Sequence, residues 1–100
     1  MRWACTLGAA LLVAAGVASA SEELAEKHAC SNCHLTDKKL VGPALKDVAK
    51  KYRGQAGAAE MLRNKISNGG SGVWGAVPMP AMTAVPPEDN QALVAWILKL

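Results

Sequence analysis

From residue 21 onward, apolar positions recur at helical spacing in four stretches, and nowhere do they alternate as a half-buried strand requires. The first stretch, near 21–29, opens with Glu22 and Glu23 and has Lys27 near its end, an order that suits the helix dipole. It is expected to run straight into Cys30. The second follows Gly42-Pro43. There Leu45, Val48, Ala49 and Tyr52 fall at i, i+3, i+4 and i+7 and predict one buried stripe, with Lys46, Lys50 and Arg53 on the other side. The third covers about 58–67 with Leu62 and Ile66 inward, and Asn68-Gly69-Gly70 should stop it. The fourth starts at Pro87, tolerated in a first helical turn. Glu88 and Asp89 follow, then a stripe of Leu93, Trp96, Ile97 and Leu100. Between the last two helices, "GGSGVWGAVPMPAMTAVPP" has Gly and Pro throughout and no helical period. A connection of that length in a compact domain is usually functional or disordered. The pattern predicts an all-α domain.

The first twenty residues follow a different rule. Arg2 precedes the apolar run "LGAALLVAAGVA", and Ala18-Ser19-Ala20 places small residues where a signal peptidase cuts. The run is shorter than the roughly 20 apolar residues of a membrane span. Residues 1–20 are therefore expected to be a cleaved secretory signal and 21–100 the functional domain, exported to the periplasm without stable membrane insertion. Cys5 would leave with the signal, and it lies ahead of the apolar run, the wrong place for a lipid-anchor cysteine.

Of 11 Lys/Arg and 8 Asp/Glu, the leader carries only Arg2, so the domain has a net charge of about +2. That balance gives no reason to expect nucleic acid as a partner. Without phenylalanine and with one tyrosine, 80 residues make a thin core. A chain this short buries only about 60% of its unfolded surface and usually needs a staple.

The stretch "HACSNCHLTDKKLVGP" holds the domain's only two cysteines, Cys30 and Cys33, with His34 directly after the second. Three chemistries use such a spacing. A thioredoxin-like dithiol wants its Cys-x-x-Cys at a helix start within a βαβ pattern, and no strand is predicted here. A zinc site needs four ligands, and only His28 remains to complete one, in a crowded arrangement. Covalent haem attachment uses every residue. The two thiols bond one edge of a porphyrin and the following imidazole reaches its iron, the Cys-x-x-Cys-His signature. The macrocycle also fills the deficient core, and the thiols are consumed, which suits an oxidising compartment.

Four methionines are candidates for the opposite face of the ring: Met1, Met61, Met79 and Met82. Met61 reads as core on the third helix. Met79 stands between Pro78 and Pro80, which restrict the backbone to extended geometry and so aim one sulfur repeatedly at one point. Met82 reads as a side chain of the same loop that covers the ring. His28, two residues before Cys30, is tied too close to the anchored edge to cross to the other face.

In their order and spacing, "CSNCH", "VGPALKDVAKKY", "GQAGAAEML", "NGGSGVWGAVPMP" and "ALVAWILKL" resemble the small class I cytochromes c of bacterial periplasms. More narrowly, they resemble the short-loop group named for an alpha band at five-fifty-one or five-fifty-two nanometres. The resemblance covers essentially all of 21–100. It implies about four helices wrapped around one covalent haem c, bound through Cys30 and Cys33. The axial ligands would be His34 and Met79, with the Pro43 carbonyl accepting the second N–H of His34 and the Trp74 indole bonding a haem propionate. Trp96 reads as core. A polar residue is common in that group near the position of Met82.

The function so implied is electron transport between respiratory-chain proteins, not enzymatic catalysis. The expected partners are a donor of the cytochrome bc type and an oxidase or reductase, with the carrier a monomer. Lys38, Lys39, Lys46, Lys50, Lys51 and Arg53 would steer acidic docking surfaces, unless, interrupted by Asp37 and Asp47, they merely form a solvated face. The rival reading is a gas-sensing or catalytic haem domain in which the methionine bond breaks.

Overall fold

The computed structural model describes residues 15–100. The expected secretory leader falls largely on residues 1–14, outside the described residues. Four helices follow one another: α1 (Ala15–Lys27), α2 (Leu45–Tyr52), α3 (Ala58–Asn68) and α4 (Pro87–Ile97). One short 3₁₀ turn, Cys30–Asn32, lies after α1. Among the described residues there is no β-ladder, only isolated bridges between His34 and Lys39 and between Gly70 and Met79. No described helix is long and apolar enough to cross a membrane.

Helix α2 follows its pattern fully: Leu45, Val48, Ala49 and Tyr52 are all buried, and Lys46, Lys50 and Arg53 are exposed. Helix α3 stops where expected. Gly69 adopts φ 69°, and its N–H closes the last turn on the Lys65 carbonyl at 2.8 Å.

Helix α1 departs from expectation at both ends. It begins upstream of residue 21, because the Ala-rich stretch before Ser21 continues the helix. Glu22 and Glu23 therefore lie within it rather than in its opening turn. It also ends at Lys27 and does not run into Cys30. Ala29 takes φ 63°, the one positive φ outside glycine among the described residues. That conformation costs an L-residue about 1–2 kcal/mol, and it turns the chain before the cysteine pair.

Helix α4 is the hub, packed against α1, α2 and α3. Leu93 and Val94 are each 1% exposed, whereas Trp96, Ile97 and Leu100 are only half-buried. The expected stripe thus shifts towards Val94, because α4 is covered on more than one side. Asn90, buried beside them, donates from Nδ2 to the Arg63 carbonyl and to Ser67 Oγ, both at 3.1 Å, and so ties α4 to α3. His28 Nε2 lies 2.8 Å from Asp89 Oδ2 and joins the end of α1 to the first turn of α4.

The continuous buried cluster consists of Ala25, Val48, Tyr52, Ala58, Leu62, Ile66, Leu93 and Val94. Two of these eight are alanines, and the sole aromatic is Tyr52. So small a core is thin for a domain of this length, which usually needs a further staple. The chain without its prosthetic group is expected to show no cooperative thermal transition by circular dichroism; a sharp transition would contradict this account of the core.

Candidate functional site

Beside the small core lies a cavity of about 300 Å³, walled by the cysteine segment, α2, α3, α4 and the loop that follows α3. Cys30, Cys33, His34, Pro43, Trp74 and Met79 all line it. Met82 and His28 do not. The cavity wall is mostly apolar, with Val48, Leu62, Ile66, Leu93 and Ile97 among its residues.

The first wall is built by a tight local turn. The N–H groups of Cys33 and His34 both donate to the Cys30 carbonyl, at 3.1 and 2.8 Å. Residues 30, 33 and 34 are thereby one turn apart and share a side. His34 Nδ1–H donates to the Pro43 carbonyl at 2.8 Å. Committing Nδ1 in this way fixes the tautomer and leaves Nε2 as the basic nitrogen, as a second-shell partner does for a metal-bound imidazole. Gly42 permits the approach: a Cβ built there would lie 2.5 Å from His34 Cε1 and 2.9 Å from Nδ1. Any side chain at 42 would push the ring aside.

Burial pushes the Cys30 thiol up, outweighing a backbone hydrogen bond that lowers it, and the neighbouring Cys33 pushes it up further. A dithiol redox catalyst needs a thiol shifted down. The zinc reading meets an equally direct obstacle, since His28 is engaged with Asp89 on α4. Among the described residues, no three His, Cys, Asp or Glu side chains converge on one point.

The second wall comes from the glycine loop. Gly70 and Met79 exchange both backbone hydrogen bonds, N–H to carbonyl, at 3.0 and 2.8 Å. Pro78 and Pro80 have no N–H, so Met79 supplies the tripeptide's only backbone donor. Met82 is held elsewhere: its N–H donates to the Ile66 carbonyl at 2.8 Å, and its side chain packs on the core. Met61 and Met79 also pack against the core; what sets Met79 apart is that it lines the cavity, which Met61 and Met82 do not.

Trp74 stands at the cavity lip, 43% exposed. Its ring meets Tyr52 edge-to-face at 6.5 Å, and Lys51 Nζ lies 5.6 Å from the Trp74 centroid and 5.7 Å from that of Tyr52. Each such cation–π contact contributes about 0.5–1 kcal/mol at an exposed site.

In sequence, Gly42 and Gly70 read only as turn and helix-stop residues and Lys39 only as a steering cation, and Lys65 carried no reading, although both lysines line the cavity. The pairing of Gly70 with Met79 leaves no local signal.

The wall residues fit a c-type haem on their own chemistry. Two thiols, an imidazole with a free Nε2 and a thioether face one apolar cavity, a donor set suited to a covalently held, His/Met-ligated iron.

Gly69 adds a second close approach. A Cβ there would strike the backbone of Met79, Pro80 and Ala81. Gly54 has a similar φ, 82°, with nothing within 4 Å of a Cβ. Gly54→Ala should therefore cost only the left-handed strain, about 1–2 kcal/mol. Gly69→Ala should cost clearly more in denaturant unfolding of the holoprotein, from this contact and from a ψ of −165° that only glycine adopts readily. Equal costs would mean that the contact between Gly69 and the methionine segment is not tight.

Comparison with known proteins gives the family. The family described as Cytochrome c matches residues 18–100. Cytochrome c-552 of Nitrosomonas europaea is 48% identical over 98 residues, covering 98% of this chain and 95% of that protein. Cytochrome c-551 of Pseudomonas aeruginosa is 47% identical over 88 residues, 88% of this chain and 84% of that one. The crystal structure of the wild-type Nitrosomonas protein superposes with a TM-score of 0.77 at 49% identity, over 79% of this chain and 98% of its own. Class 1 cytochrome MtoD from Sideroxydans lithotrophicus ES-1 superposes at 0.68 with 32% identity, over 81% and 92%. An all-α chain with a Cys-x-x-Cys-His turn facing a thioether, related to these proteins along most of its length, is a member of the cytochrome c family and carries one covalent haem c.

Proposed function

We propose that this protein is a periplasmic electron carrier, not an enzyme, with its haem held by Cys30 and Cys33 and its iron ligated by His34 and Met79. The observation that carries this reading is the fixing of both candidate ligands at one cavity. The imidazole is tied to Pro43, and the Met79 backbone is paired twice to Gly70. When bound, the haem supplies a one-electron Fe(III)/Fe(II) couple.

Each residue then has a physical task. Pro43 orients His34 and raises its basicity. Met79, a softer donor than a second imidazole, raises the reduction potential relative to bis-His haem. The two cysteines prevent loss of the group, and Trp74 contributes its N–H to a propionate at the lip. A doubly paired Met79 backbone favours a carrier over a gas sensor, which needs a sulfur that leaves readily.

The partners would be a donor of the cytochrome bc type and a terminal oxidase or reductase, met by a monomer. The basic residues of this set differ in how they are engaged. Lys46 is paired with Asp37 at 2.6 Å, and Arg53 donates to the Leu98 carbonyl at 3.0 Å. Lys51 lies over two rings, and Lys39 lines the cavity. Lys38 and Lys50 have no acidic partner among the described residues. They are the cations best placed to act on an approaching surface.

The decisive experiment compares two methionines. Met79→Ala should abolish the sulfur-to-iron charge-transfer band, lower the potential and open the ferrous protein to carbon monoxide, while haem stays attached. Met82→Ala should leave the band intact. The opposite pattern would reverse the ligand assignment, and rapid carbon monoxide binding by the unmodified protein at neutral pH would favour the sensor. For docking, electron transfer with an acidic partner should slow as ionic strength rises, because exposed charges are screened beyond about 8–10 Å. Lys50→Gln should flatten that slope more than Lys46→Gln, measured by stopped flow. An unchanged slope in both would assign the lysines to solvent alone.

A further inference from the structure

Between Gly70 and Met79 the chain makes one further backbone hydrogen bond among the described residues, Gly72 N–H to the Gly75 carbonyl, and it lies within the loop. Gly70, Gly72 and Gly75 all adopt positive φ, 152°, 104° and 123°. The backbone therefore does little to fasten the crown of this loop to the rest of the molecule. The side chain of Trp74 does. It meets Tyr52, which is buried at the end of α2, and both rings lie within 6 Å of one ammonium, Lys51 Nζ. Lys51 and Tyr52 are consecutive, so one helix end grips the indole with a ring edge and a cation together.

We infer that Lys51 is a positioning residue. It holds Trp74 against α2, and through Trp74 it keeps the glycine loop closed on the Gly70–Met79 pair. The residue reads in sequence as one more solvent-facing lysine, but its exposed ammonium is also engaged by two rings of this molecule. Its role differs in kind from that of Lys50, its neighbour, which meets neither ring. The inference rests on the proposed function only in giving Met79 a purpose; the strap itself is a matter of this chain's own contacts.

The test uses ferrous holoprotein and nuclear magnetic resonance. The Lys51 ε-methylene protons should be shifted upfield by the rings, and the shift should shrink in Trp74→Leu, where only Tyr52 remains. Hydrogen exchange at the Gly70 and Met79 amides, which are paired to each other, should quicken by about two- to fivefold in Lys51→Met, the factor an exposed cation–π contact carries. Lys51→Arg should restore the slower rate, and Lys50→Met should leave it unchanged. The Leu93 amide, in the core, should not respond in any of these variants. The inference fails if the Lys51 protons are unshifted in the unmodified protein. It also fails if exchange is unaltered in Lys51→Met, or if Leu93 quickens equally, since that would be a general loss of stability. Absence of the methionine-sulfur band in the unmodified protein would overturn the ligand assignment and leave these exchange results standing.

Discussion

The paired backbone hydrogen bonds between Gly70 and Met79 close a loop that has little other means of closing itself. Prolines on both sides of Met79 remove the neighbouring donors, so the methionine must use its own N–H and carbonyl, and Gly70 is the residue that meets both. From this pairing follow the placement of the second candidate ligand, the position of the cavity mouth and the demand for glycine at 69, where the returning chain crosses too closely for a Cβ. The first candidate ligand depends on an analogous constraint: Gly42 lies against the ring of His34 while the Pro43 carbonyl accepts its Nδ1–H. A glycine thus stands against each ligand segment, one beside a ring and one beside a backbone.

The protein around these clasps is sparse. Helix α4 draws α1, α2 and α3 together with two fully buried aliphatic side chains, the amide of Asn90 and the His28–Asp89 contact. Val48, Tyr52, Leu62, Ile66 and Leu93 belong both to the core and to the cavity wall. Stability and ligand geometry are therefore supplied by the same walls, and a change that loosens one loosens the other.

How much of this was legible in sequence differs from residue to residue. The stripe of α2 was readable because a single helix packed on one side displays its burial directly in its period. Met79 was readable as a candidate because Pro78 and Pro80 are a local signature, and it does line the cavity. The end of α1 was not, since Ala29 is a good helix former and only the turn into the cysteine pair takes it to positive φ. Val94 was missed because a helix enclosed on several sides buries more than the stripe that periodicity can display. Lys51 was misread for a related reason: its partner Trp74 arrives from far along the chain, and no pattern within α2 announces it.

Helix α4, which joins the other three, is also the last of them in the chain. Chains are made from the N-terminus, so the cysteine pair is present and reachable well before the segment that closes the core exists. Until α4 arrives, α1, α2 and α3 have nothing in common to pack against, and the wall that includes Leu93, Trp96 and Ile97 is missing from the cavity. The fold is ordered in time as well as in space. Its attachment point comes early and its latch comes late, so the cysteine pair is made before the cavity wall that α4 supplies.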